Sequence, residues 1–333
     1  MILHPGILAL VLGSSFVLLM TFFSAAVGGI IVRRWDFDSS SAYQLRLERR
    51  TYLISTIMNY AFGFQAVSLF LFLYVTEDIH KLFVGAMCAT GSLNANPIGW
   101  YALISKITAF FCAGIWIALN VTDQRAEDYP LVKFKYVLLI CITPVIALDL
   151  FLQVAYFHGL DPDIITSCCG SLFSESGDGT ASSIASLPVK TSMMVFYTVA
   201  GLFYFSAAGC LYSKNGLIRY VFSAMAAAFF FASLTAIISF VSIYIYELPT
   251  HHCPFDIIKQ EYNFIGFPMY ISLFCAAFFG ILPGSFQPLK KNTSLKNIII
   301  ESERGWIFQA MSWGVVFIGL VSYSIISSNL IHY

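Results

Sequence analysis

The chain has 333 residues, 58% of them hydrophobic and 11% charged, with a mean hydropathy of +0.78. Soluble domains carry about 25% charged residues, so a water-soluble fold is excluded and the lipid bilayer is the expected surrounding. Lys+Arg and Asp+Glu balance at 18 each, which gives no basis for a nucleic-acid partner.

Crossing the hydrocarbon takes about 20 apolar residues. In chain order the qualifying runs are 8–32, 51–76, 99–121, 135–157, 190–213, 218–247, 265–284 and 306–331. The first is longer than a signal-peptide core and ends at Arg33-Arg34 without a small-residue cleavage pattern, so it is expected to stay as a helix. The moderately apolar start of segment 82–104 could be re-entrant. Pro144 should kink the fourth span. The 32 Phe and 18 Tyr suit a lipid-facing surface with aromatic belts. The predicted class is an all-α polytopic membrane protein of eight transmembrane helices: a four-helix unit over 1–157, an extracytoplasmic loop over 158–189, and a second four-helix unit over 190–333.

Charge gives an orientation. The alternate loops 33–50, 123–135, 214–219 and 286–304 hold fourteen basic residues, against Lys81, Lys190 and Lys259 in the opposite loops. The positive-inside rule then puts both termini outside the cytoplasm. The sequons at Asn120 and Asn292 fall on the cytoplasmic side and read as chance matches. Short loops, the basic bias and no outer sequon point to a bacterial inner membrane.

The long outer loop turns rich in Ser, Gly and Ala after Glu175, as a linker does. It lies mid-chain, where a duplication would place it. Asn96-Pro-Ile-Gly-Trp100 with Ile104-Ser105 matches Asn263-Phe-Ile-Gly-Phe267 with Ile271-Ser272 at a constant offset, and Tyr74-Val-Thr-Glu77 resembles Tyr244-Ile-Tyr-Glu247. Two copies of an even number of helices must run parallel.

The reactive side chains gather on the outer face. Cys112, Cys141, Cys210 and Cys275 fall within spans and read as packing residues. Cys88, Cys168, Cys169 and Cys253 fall in outer loops, in the contexts Met87-Cys88, Ser167-Cys-Cys-Gly170 and Thr250-His-His-Cys-Pro-Phe-Asp256. Three readings are open. Four cysteines in an oxidising compartment can form two disulfides; of the three connectivities, the one joining Cys168 and Cys169 to Cys88 and Cys253 avoids a bond between adjacent residues. That staple would leave a non-catalytic subunit docking a membrane or periplasmic partner protein. Alternatively, Met87, Cys88, Cys168, Cys169, His251, His252 and Cys253 supply ligands for a soft metal, copper or zinc, without any C-x₂-C zinc spacing. Lastly, the cysteines could pass electrons to a quinone by thiol–disulfide exchange, although Cys-X-X-Cys is absent; haem ligation by an outer His pair is a remoter cofactor reading. Metal handling is the functional expectation, and whether the protein is an enzyme stays open. Phe255 to Tyr262 is expected to form an interfacial helix laying Phe255, Ile258 and Tyr262 on the membrane.

Within the spans, Lys106 and Asp149 lie at matching depths and are expected to pair, because an unpaired charge in lipid is costly. No Walker A, GxSxG, HExxH or haem-attachment motif occurs.

Overall fold

The computed structural model describes residues 3–330 apart from 38, 40, 162–186 and 214. The described residues contain no strand. The helices are α1 (Pro5–Arg34), α2 (Ala42–Asp78), the short α3 (Ala89–Asn94), α4 (Gly99–Gln124), α5 (Val132–His158), α6 (Val189–Tyr212), α7 (Gly216–Tyr246), α8 (Gly266–Ser285) and α9 (Thr293–Ser327). All but α3 are long and apolar enough to cross a bilayer. The protein is an all-α, multi-pass membrane protein.

The chain divides into two units. The first comprises Met1–Val75, Leu93–Asp161 and Lys290–Ile299; the second comprises Thr76–Ser92, Pro162–Leu289 and Ile300–Tyr333. Each half of the sequence therefore lends one short segment to the unit built mainly from the other half.

In the first unit α5 packs on both α1 and α4. Residue size, rather than polarity, decides which face turns inward. The buried positions of α1 are Ile7, Leu10, Ser14, Val17, Thr21, Ser24, Gly28 and Ile31, a strict alternation of three and four residues as in a helix–helix seam. Half of these are small or hydroxylated. Meanwhile Phe16, Leu19, Phe22 and Phe23 are exposed, as lipid-facing side chains should be. Lipid gives no hydrophobic drive between helices, so close approach at small residues holds them together. Ala109 and Ala113 of α4 serve the same end beside Trp116 and Leu139.

In the second unit α7 packs between α6 and α8. Its centre is aromatic: Phe203 stacks on Phe229 with ring centroids 5.0 Å apart and on Phe222 at 5.4 Å. Gly280 lets α8 close on α7, since a Cβ there would lie 2.4 Å from Ala226 Cβ. Near its end α7 widens into a π turn over Ile237–Val241.

Beyond α7 the chain departs from the expected interfacial helix. Residues 256–258 and 260–262 form two separate 3₁₀ turns, and Phe255, Ile257 and Ile258 are buried within the unit instead of lying on its surface. The reason is in the backbone that follows: Asn263 and Phe264 both adopt positive φ, which no continuing helix allows, and the turn closes by Phe264 N donating to Lys259 O.

Candidate functional site

The stretch His252–Ile258 is buried at every residue. A buried loop must find partners for its carbonyls, and two tyrosines supply them. Tyr246 Oη donates to Cys253 O at 2.5 Å, and Tyr270 Oη donates to Pro254 O at 2.6 Å. These bonds fix Cys253 in the interior of the second unit.

Cys88 reaches the same point from the segment Thr76–Ser92. Glu77, at the end of α2, accepts a hydrogen bond from Ala89 N at 2.7 Å and so holds the backbone next to Cys88. His80 in turn contacts Glu77 through Nδ1. The outcome is a pair of buried sulfurs: Cys88 Sγ lies 3.4 Å from Cys253 Sγ, and Thr90 Oγ1 lies 3.3 Å from Cys253 Sγ. A disulfide needs about 2.05 Å, so these two sulfurs are not bonded to each other.

Asp256 completes the cluster. A carboxylate oxygen of Asp256 and the two sulfurs all lie within 4.8 Å of one another. The same carboxylate meets Lys259 Nζ at 2.6 Å and His251 Nε2 at 2.5 Å. Burial works against the Lys259 ammonium. The hydrogen bond from it to Asp256, with the negative charges of Asp256 and Glu77, more than offsets this and raises its pKa above the ordinary lysine value.

His252 is oriented differently. Its Nδ1 lies 3.0 Å from Ile238 O in the π turn of α7, and a carbonyl can only accept, so Nδ1 carries the proton. Nε2 is buried without a hydrogen-bond partner. His252 stands outside the triangle of Cys88, Cys253 and Asp256.

Of the seven ligands proposed from sequence, the structure brings Cys88 and Cys253 together. His251 is engaged with Asp256, His252 turns to Ile238 O, and Met87 is exposed. Cys168 and Cys169 lie outside the described residues, and so do the disulfides proposed through them. Asp256, Glu77 and Lys259 were missed. Asp256 follows Cys253 by three residues, and an acid among buried aromatic and proline neighbours was the available signal.

Among the described residues, the first unit holds two buried ion pairs. Lys106 Nζ lies 2.8 Å from Asp149 Oδ2, with both side chains essentially inaccessible. Gln65 Nε2 and Ser105 Oγ also donate to Asp149, at 2.8 and 3.0 Å, while the ammonium reaches Ser14 and Ser68 at 3.3 and 3.5 Å. The second pair, Lys135 Nζ to Asp123 Oδ2 at 2.6 Å, was not anticipated. It includes Asn120 Oδ1, which accepts from Lys135 at 3.1 Å. Asn120, fully buried, is thus an internal bonding partner and not a glycan acceptor.

Comparison with protein-family models, with curated proteins and with solved structures finds no match.

Proposed function

We propose that this membrane protein binds a thiophilic metal ion through Cys88 and Cys253, with Asp256 as third donor, at its extracytoplasmic face. The observation that carries this reading is the buried pair of sulfurs 3.4 Å apart beside a carboxylate. Two Zn–S bonds of about 2.3 Å at a tetrahedral angle set the sulfurs about 3.8 Å apart, whereas a linear pair would need about 4.6 Å. The spacing therefore favours zinc over two-coordinate copper(I). Charge points the same way. Two thiolates, one carboxylate and the Lys259 ammonium are neutralised by a divalent ion, and buried charge is tolerated only when balanced. Asp256 can serve Lys259, His251 and a metal together because a carboxylate has about four lone-pair positions. Three protein ligands leave a fourth position open, which suits exchange or transfer more than a closed structural site.

The test is metal analysis with thiol counting on full-length protein purified anaerobically. About one zinc ion per chain is expected, falling severalfold in Cys88→Ser and in Cys253→Ser. Protein without metal whose Cys88 and Cys253 are oxidised would sink the proposal. It would support instead a reversible dithiol, which the same 3.4 Å separation also favours, since closing it takes a shift of about 1.4 Å.

A further inference from the structure

A second site lies in the first unit, at the end where α2 begins and the α4–α5 connection turns. Trp35, Glu48, Arg49, Thr51, Tyr52, Ser55, Gln124, Tyr129 and Lys135 enclose a cavity of about 290 Å³, several times the roughly 30 Å³ share of one liquid water. Three of its lining side chains are more than nine-tenths buried: Trp35, whose Nε1 has no hydrogen-bond partner, and Thr51 and Ser55, whose hydroxyls have only the phenol of Tyr136 beside them. Native proteins leave few such groups, and each calls for an explanation. The two hydroxyls flank the phenol of Tyr136, whose proton goes instead to Thr51 O at 3.2 Å.

The chemistry of the lining is that of a donor set. An indole N–H, an ammonium and a guanidinium can only donate. Lys135, which lines the cavity, donates to Asn120 and Asp123 and has a third ammonium proton to give. Thr51, Ser55 and Gln124 can each donate as well. The single acid, Glu48, is exposed at the rim and already accepts from Gln44 at 3.4 Å. Arg49 and Tyr52, also exposed, mark the way in. The wall is fixed: Lys135 is pinned by Asp123, and Asp123 accepts from Leu131 N at 2.8 Å. Tyr129 is held at a φ of 45°, a conformation costly for a bulky residue and found where a site imposes it.

We infer that this cavity binds a phosphate-type oxyanion, through Trp35, Thr51, Ser55, Arg49 and the remaining proton of Lys135. That chemistry could come from a free anion or from the headgroup of an anionic phospholipid, since this end of the unit carries the basic loops expected at a membrane surface.

The experiment uses the full chain in two settings. In detergent, binding of inorganic phosphate is measured by equilibrium dialysis. In nanodiscs of phosphatidylcholine with or without phosphatidylglycerol, retained lipid is identified by native mass spectrometry. Saturable phosphate binding that phosphatidylglycerol competes away assigns a free anion. Retained phosphatidylglycerol that phosphate does not displace assigns the headgroup. In either case Arg49→Gln should weaken binding at least tenfold, and Ser55→Ala about tenfold, as expected for donors to a charged oxygen. Ser55→Ala removes a small hydroxyl beside the Tyr136 phenol, and the thermal midpoint of the ligand-free variant, measured alongside, should stay near that of the parent. Its folding therefore does not confound the result. No binding in either setting, or equal binding by both variants, overturns the inference.

Discussion

The buried pair Lys106–Asp149 can be tested by a double-mutant cycle with an asymmetric outcome. In Lys106→Met, Asp149 keeps donors from Gln65 and Ser105 at 2.8 and 3.0 Å and can neutralise itself by taking a proton. The expected loss is about 2–3 kcal/mol, toward the lower end for a broken buried pair. In Asp149→Leu the ammonium keeps only the longer contacts to Ser14 and Ser68, so the loss should reach about 3–5 kcal/mol. Lys106→Met with Asp149→Leu removes both charges. What remains is the loss of a partner for Gln65, since Ser105 keeps Ala102 O at 2.9 Å, about 1–2 kcal/mol. The coupling is then at least about 3 kcal/mol. Unfolding of the full chain by titrating denaturing detergent into mild micelles, followed by helical circular dichroism, reads these differences. Additivity within about 0.5 kcal/mol would refute the reasoning, because it would mean that the two charges do not depend on each other. The charged atoms of this network are all engaged by protein, as in a clasp between helices.

If Cys88 and Cys253 hold zinc, a strong chelator should lower the thermal midpoint of the purified protein, and added zinc should restore it; a ligand bound at about 100 times its Kd contributes about 2.7 kcal/mol. Gly99→Ala and Gly266→Ala should each cost several kcal/mol, because the new Cβ would lie 2.3 Å from Leu93 O in one case and 2.9 Å from the Ile257 carbonyl carbon in the other; wild-type expression and stability in either would refute the contact argument. Tyr270→Phe strands Pro254 O and should cost about 1–3 kcal/mol, seen as faster alkylation of Cys253. The Lys259 contribution is complete below its ordinary pKa of 10.5 and is lost only as pH rises through the higher folded value; Lys259→Met should lower stability at neutral pH and abolish that alkaline step in a pH series of unfolding midpoints.

The eight spans are legible because length and apolarity alone decide them. Their ends run past the predicted runs where charged helix continues beyond the hydrocarbon, as at 42–50 before the second span and 293–305 before the last. Lys106 and Asp149 could be singled out because a charge deep in an apolar run is conspicuous, and counting residues from the outer ends set them level. Asp123 and Lys135 escaped notice because they flank span ends, where charges are ordinary. Only the three-dimensional structure shows them buried. The loop 247–265 misled for a different reason. Its alternation of apolar and polar residues suits a surface helix, but consecutive positive φ values at Asn263 and Phe264 leave no local trace that a period can register.

The positions matched by the proposed duplication can be compared for what they do. Gly99 and Gly266 both open a long helix and both sit too close to the preceding segment to admit a Cβ. Ser105 and Ser272 both return a hydroxyl to the carbonyl three residues back. The other equivalences have parted. Asn96 caps Ile98 N and donates to Tyr156 O, whereas Asn263 adopts positive φ. Glu77 is buried and braces Ala89, whereas Glu247 accepts from Asn329. The matched positions thus agree in helix-entry geometry and differ in the charged groups around the sulfurs. Glu77 holds the Cys88 backbone, while Asp256 and Lys259 bring charge from the Cys253 side. If the pair binds metal, the two cysteines are therefore not interchangeable. Glu77→Gln should loosen Cys88 while leaving the donor set intact, weakening metal binding by about 10–100-fold as supporting residues do. Asp256→Asn should weaken it and also free Lys259 and His251. A Glu77→Gln protein with unchanged zinc affinity would mean that the Ala89 contact plays no part in placing the sulfur.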